Sequence, residues 1–139
     1  MASIFIFHGI DGSPEENWFP WMKSELEKRG HSVIVPQFPH GKGHNLATWL
    51  EHFSKYEKDL TDDSILIGHS MAGAFMLTLL ETHPVRACFL VAGFIGPLGL
   101  KVFDERNASF TEKVLPGRKS ATTVLILKFA KATTTPTSL

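Results

Sequence analysis

Cysteine is almost missing from this chain: Cys88 is the only one in 139 residues, so no intramolecular disulfide can staple the fold. It sits in the apolar run Ala87-Cys88-Phe89-Leu90-Val91, a setting that predicts a buried, inert thiol. Net charge is missing as well. Fourteen Lys/Arg balance fourteen Asp/Glu, which removes the one-signed field that would draw the whole molecule to nucleic acid or to an anionic membrane. No apolar run approaches the length of about 18 residues that reads as a membrane span. No basic stretch precedes Ile4-Phe5-Ile6-Phe7, so a secretory signal is not expected, and the cytoplasm is the expected compartment.

What is present is apolar material, 43% of the chain, enough to build the core of one domain. Short apolar runs alternate with amphipathic segments, the pattern of an α/β fold with a mostly parallel sheet and helices on both faces. Ile4–Phe7, Ser32–Val35, Ser64–Ile67 and Ala87–Ala92 read as strands, each nearly continuous in apolar residues as strands covered on both faces are. A first helix is predicted with Asn17 as its cap, Trp18, Trp21, Met22 and Leu26 on its inner face, Pro20 in its first turn and Gly30 at its end. A second starts near Asn45 and turns Leu46, Trp49, Leu50, Phe53 and Leu60 inward. A third, Met71–Thr82, is apolar on nearly every side and stops at Pro84. Successive β-α-β units imply a doubly wound sheet, whose sites form at the carboxyl ends of the strands.

One of those ends carries chemistry. Gly68-His69-Ser70-Met71-Ala72-Gly73 follows a strand and opens a helix, the frame a nucleophile elbow requires. The elbow holds a serine on a sharp, strained turn with small residues two positions before and after it; Ala72 stands where the pattern has glycine. Acyl transfer also needs oxyanion donors, and the N–H after the nucleophile, that of Met71, supplies one. The second is expected from His8-Gly9-Ile10-Asp11-Gly12-Ser13 after the first strand, from the N–H of Ile10. Gly9, Asp11, Gly12 and His69 are expected to border the bound substrate.

His8-Gly9-x-x-Gly12-Ser13, Asn17-Trp18-Phe19-Pro20-Trp21, Gly68-His69-Ser70, Glu81-Thr82-His83 with Leu90-Val91, and Ala108-Ser109-Phe110-Thr111 resemble, in order, the small serine hydrolase family of retinoblastoma-binding protein 9. The resemblance covers roughly residues 3 to 112. It implies a single-domain α/β-hydrolase without cofactor, here minimal or truncated, that uses a Ser, Asp, His triad on small ester-like substrates.

The triad itself cannot be completed in its usual chain order of Ser, then Asp or Glu, then His. After Ser70 the only histidine is His83 and the only aspartate, Asp104, comes later still. His83 lies about twelve residues down the helix that Ser70 begins, roughly 18 Å away at 1.5 Å per residue. His8 and His69 are close in sequence to the site, but the first belongs to the oxyanion turn and the residue before an elbow serine points away from its Oγ. Residues 113 to 139 differ from the core, residues 1 to 112. They hold five Lys/Arg and no acidic residue, against nine and fourteen before them. Thr122–Phe129 suits a strand by composition; the remainder suits disorder. A truncated or frame-altered C-terminus accounts for the change, the competing expectation being a short variant that gives Ser70 other partners.

Two functions follow: a serine hydrolase acting through Ser70, or a non-catalytic relative that binds a protein partner or a small acyl ligand. His31, His40 and His44 are expected to be solvated loop residues rather than metal ligands, with no Cys or converging carboxylate beside them. Pro39–His44 lacks the P-loop pattern, and Asn107-Ala108-Ser109 matches the glycosylation sequon only as a string. Trp18, Trp21 and Trp49 are expected in the core.

Overall fold

The computed structural model describes residues 2–93 and 96–112 and the backbone of 123–127. Five strands, β1 (Ser3–Phe7), β2 (Ser32–Ile34), β3 (Ile65–His69), β4 (Ala87–Val91) and β5 (Thr123–Leu127), form one sheet in the order β2-β1-β3-β4-β5. Every pairing is parallel. This is a doubly wound order whose direction of winding reverses between β1 and β3, the place where such sheets open a crevice beyond their carboxyl ends. β5 falls within Thr122–Phe129; the other residues of the basic segment, and Phe94 and Ile95, lie outside the described residues.

Period-2 alternation divides the strand side chains between two faces. Ile4, Ile6, Val33 and Ile67 pack under helix α1 (Phe19–Lys28), together with Phe19, Met22 and Leu26. Phe5, Phe7, Leu66, Cys88 and Leu90 pack under α2 (Leu46–Phe53), α3 (Ala72–Leu79) and α4 (Lys101–Thr111). Helices therefore cover both faces, as the sequence pattern predicts. Every residue of α3 is buried, in line with its all-round apolar sequence, although the helix proper ends at Leu79 rather than Thr82.

Asn45 caps α2, its side chain accepting the Thr48 N–H at 2.8 Å; beyond Phe53 the chain tightens into a 3₁₀ turn over Ser54–Asp59. Gly30, at φ +87°, ends α1 in a Schellman motif: its N–H reaches Glu27 O at 2.9 Å and that of His31 reaches Leu26 O at 3.2 Å. The start of α1 differs from expectation. Asn17 takes a left-handed φ of 51° and makes no cap; Trp18 stands at the N-cap, with no side-chain cap bond. Counted from Phe19, the inward face at i, i+3 and i+7 is Phe19, Met22 and Leu26, which leaves Trp21 outside and 61% exposed.

Candidate active site

Ser70 follows directly on β3 with a left-handed φ of 57°, a region that costs a non-glycine residue about 1–2 kcal/mol. Three neighbours hold it there. Its N–H is tied to Val91 O of β4 at 3.2 Å, and its carbonyl accepts the Gly73 N–H at 3.2 Å as α3 begins. Below it Gly68 meets α3 so closely that a Cβ there would lie 2.6 Å from Met76 Sδ and 3.3 Å from the Ala72 methyl. This contact explains Ala72: the methyl fits because Gly68 has none.

The turn after β1 presses on the same serine. A Cβ on Gly9 would come within 3.1 Å of Ser70 Cβ and 3.6 Å of its Oγ. Gly12 N–H closes the turn on Gly9 O at 3.2 Å, with Asp11 at φ 55° in its third position, the signature of a type II turn. Among the described residues, neither the Ile10 N–H nor the Met71 N–H is taken by a backbone carbonyl.

The turn is fixed from behind by His8, which is fully buried. Its Nε2 accepts the Phe38 N–H at 2.8 Å, so Nδ1 carries the proton and donates to Gly9 O at 2.7 Å. Gln37 and His40 both donate to Gly12 O, at 3.1 and 2.6 Å. Burial above all holds the His8 imidazole below its ordinary pKa. With both nitrogens engaged, His8 is a structural post for the turn and offers no lone pair to Ser70. His69, on the opposite pleat, lays its ring against Trp18 and Phe19, 6.2 and 5.9 Å away by centroids. Its backbone carbonyl, not its ring, faces the turn after β1, where a Cβ on Gly9 would lie 3.3 Å from it.

The remaining acid and base candidates are spent elsewhere. Asp104 accepts the N–H groups of Leu98 and Gly99, each at 2.8 Å, and so shapes the entry to α4. His83, beyond the far end of α3, contacts Thr82 Oγ1 at 2.9 Å. Among the described residues no histidine is hydrogen-bonded to Ser70.

His44 corrects the expectation of a solvated loop residue. It is only 8% exposed, packed between Trp49 and Phe110, and its Nε2–H donates to Asn107 Oδ1 at 2.8 Å. The aromatic cluster excludes water on both sides of the ring, and the partner lies 63 residues away, which no local pattern reveals. Asn107 is 1% exposed, so the sequon it begins is closed to modification in the folded chain. His44 Nδ1 has no partner among the described residues. Among those residues, no group of His, Cys, Asp and Glu is placed to hold a metal, and no helix is long and apolar enough to cross a membrane.

Burial lowers the pKa of His8, His44 and His69 from about 6.5. The unfolded chain therefore takes up protons first as pH falls, and the native state loses stability below about pH 6.5 until the folded-state values are passed. Thermal melts should be nearly superimposable above pH 7 and shift to lower temperature from pH 6.5 to 5. A melting temperature that is flat or rises over that interval would contradict the burial of neutral imidazoles.

The family model described as "Serine hydrolase" matches residues 4–121. The YdeN protein of Bacillus subtilis (strain 168) is 31% identical over 107 residues, which are 73% of this chain and 56% of that protein. The serine hydrolase RBBP9 of Rattus norvegicus is 29% identical over 83 residues, 59% of this chain and 44% of that protein. The crystal structure of the ydeN gene product superposes with a TM-score of 0.72 at 27% identity, covering 83% of this chain and 62% of that one. An extracellular α/β-hydrolase from a Paenibacillus species gives a TM-score of 0.60 at 25% identity, over 84% and 56% of the two chains. This chain thus spans about half the length of the curated relatives it matches.

Proposed function

This chain belongs to the serine hydrolase family, and from that premise we propose that it attacks small ester or related acyl substrates through Ser70. One observation carries the reading: the left-handed backbone of Ser70 at the end of β3, with Gly9 packed against its side chain. An ordinary helix cap does not need such strain, whereas an elbow does, because it lifts Oγ clear of the sheet. Oγ bonds to the acyl carbonyl carbon as its proton passes to water. The carbonyl oxygen gains charge and is received by the N–H groups of Met71 and Ile10. Collapse of the tetrahedral species breaks the ester C–O bond and releases the alcohol, which takes up a proton from water. Gly9 and Gly12 let the backbone come close, and Asp11 stands at the rim of the turn.

No base for Ser70 stands among the described residues, and a serine without one keeps only the rate that the oxyanion donors and binding supply, about 10³–10⁴ over water in serine proteases stripped of their triad. A fluorophosphonate probe should therefore attach slowly and stoichiometrically, with the adduct located on Ser70 by peptide mass. A folded protein that stays unlabelled, or labels at another residue, would sink the reading. The commitment of both His8 nitrogens favours a second reading, a non-catalytic scaffold that binds a protein partner or a small acyl ligand in the same crevice. Ester turnover that depends on Ser70 would exclude it.

Gly9→Val separates the turn from the elbow. Its branched side chain must enter space 3.1 Å from Ser70 Cβ and 3.3 Å from His69 O, so the Ile10 N–H moves away from the reacting centre. A displacement of about 1 Å costs on the order of 10²-fold in rate. The labelling rate should fall by that amount while the far-ultraviolet circular dichroism stays native; an unchanged rate would show that this turn takes no part in the reaction.

A further inference from the structure

We propose that Arg106, on α4, is a positioning residue that holds the oxyanion turn through Asp11; the inference rests on reading Ser70 as the nucleophile. Its Nη2 lies 2.9 Å from both carboxylate oxygens of Asp11, across 95 residues of sequence. Asp11 is the residue after Ile10, and its φ of 55° sets the course of the turn. Arg106 is presented from a fixed platform: Asn107 receives the His44 N–H, Ser109 Oγ accepts the Leu46 N–H at 3.0 Å, and Phe110 is buried against Trp49. The backbone that carries Arg106 is thus already fixed by other contacts of α4, so that pairing has to order only its side chain.

The pair does two things at the reaction centre. It pins a non-glycine residue in the left-handed region, which Asp tolerates but does not favour. It also neutralises a carboxylate one residue from an oxyanion donor, where an unpaired negative charge would oppose the charge developing on the substrate. The ion pair is about half exposed, 44% and 54% for the two side chains, so its effect should be modest and screened by salt.

The test compares fluorophosphonate labelling of wild type, Arg106→Ala and the double variant Arg106→Ala/Asp11→Gly, together with amide exchange at Ile10–Gly12. Arg106→Ala should label about fivefold more slowly, with the loss in the maximal rate rather than in the probe concentration for half-saturation, at an unchanged melting temperature. Salt should slow the wild type by screening the pair and should speed Arg106→Ala by screening the Asp11 charge left unpaired. Adding Asp11→Gly should restore most of the rate, since glycine accepts the turn freely and brings no charge; a merely structural loss of α4 docking would not be rescued this way. Equal labelling of Arg106→Ala and wild type, or a slow variant that Asp11→Gly does not rescue, would overturn the proposal. Should the wild type not label, the reading of Ser70 falls by itself and amide exchange decides the clamp: faster exchange at Ile10–Gly12 in Arg106→Ala supports it, and unchanged exchange overturns it.

Discussion

Ser70→Gly should abolish fluorophosphonate labelling and at the same time raise the melting temperature. The first effect follows from the proposed role of the Ser70 hydroxyl, which glycine lacks. The second follows from the backbone: Ser70 sits at φ 57°, where glycine bears none of the steric cost of a Cβ. After the extra chain entropy of glycine in the unfolded state, a net gain of about 1 kcal/mol is expected, or roughly 4 °C for a domain of this size. Ser70→Ala provides the contrast, because alanine loses the hydroxyl and keeps the Cβ. It should be equally unreactive and no more stable than the native chain. If both variants melt together, the strain assigned to the elbow is absent, and the serine is an ordinary turn residue.

Trp49→Ala should be the most damaging single truncation to stability. Trp49 is fully buried, stacked on Phe38 at 4.2 Å and 10°, set edge-on to Phe75 and Phe110, and its indole N–H donates to Pro39 O at 3.2 Å. Removing it leaves a cavity that α2, α3 and α4 cannot close together, at a cost of about 3–5 kcal/mol, a large part of the 5–15 kcal/mol typical of a whole domain. The melting temperature should fall by roughly 10–20 °C. The same indole also touches the rings of His8 and His44, so the turn behind the serine should loosen well below the melting point. Trp21→Ala is the control. That ring is 61% exposed, and its loss should stay within about 0.5 kcal/mol; equal damage from both would disprove the assignment of Trp49 to the core.

The two tryptophans also show where sequence reasoning succeeds. Trp49 belongs to a helix whose cap, Asn45, fixes its phase, and every inward position counted from that cap is at least partly buried. Trp21 belongs to a helix whose start is fixed by the chain path into Phe19; one residue of error there rotates the whole inner face by about 100°. The four strands and the strand-turn-helix frame around Ser70 were legible because short apolar runs and small residues are local signals. Ala72 became intelligible only with Gly68 facing it. The contacts that α4 makes, Arg106 with Asp11 and Asn107 with His44, were invisible because they join segments 95 and 63 residues apart. No periodicity encodes such a pairing.

The bond from Ser70 N–H to Val91 O also sets an order of assembly. Residues 8 to 12 leave the ribosome long before 68 to 71, and the elbow cannot be latched until β4 has been made and has paired in register with β3. Sheets built from distant, parallel partners close late because loop entropy is lost before contacts compensate for it. The turn at Ser70 therefore cannot close fully before Val91 has been made, and a nascent chain that ends short of it holds the serine only through Gly9, Gly68 and Gly73, without the tie to β4.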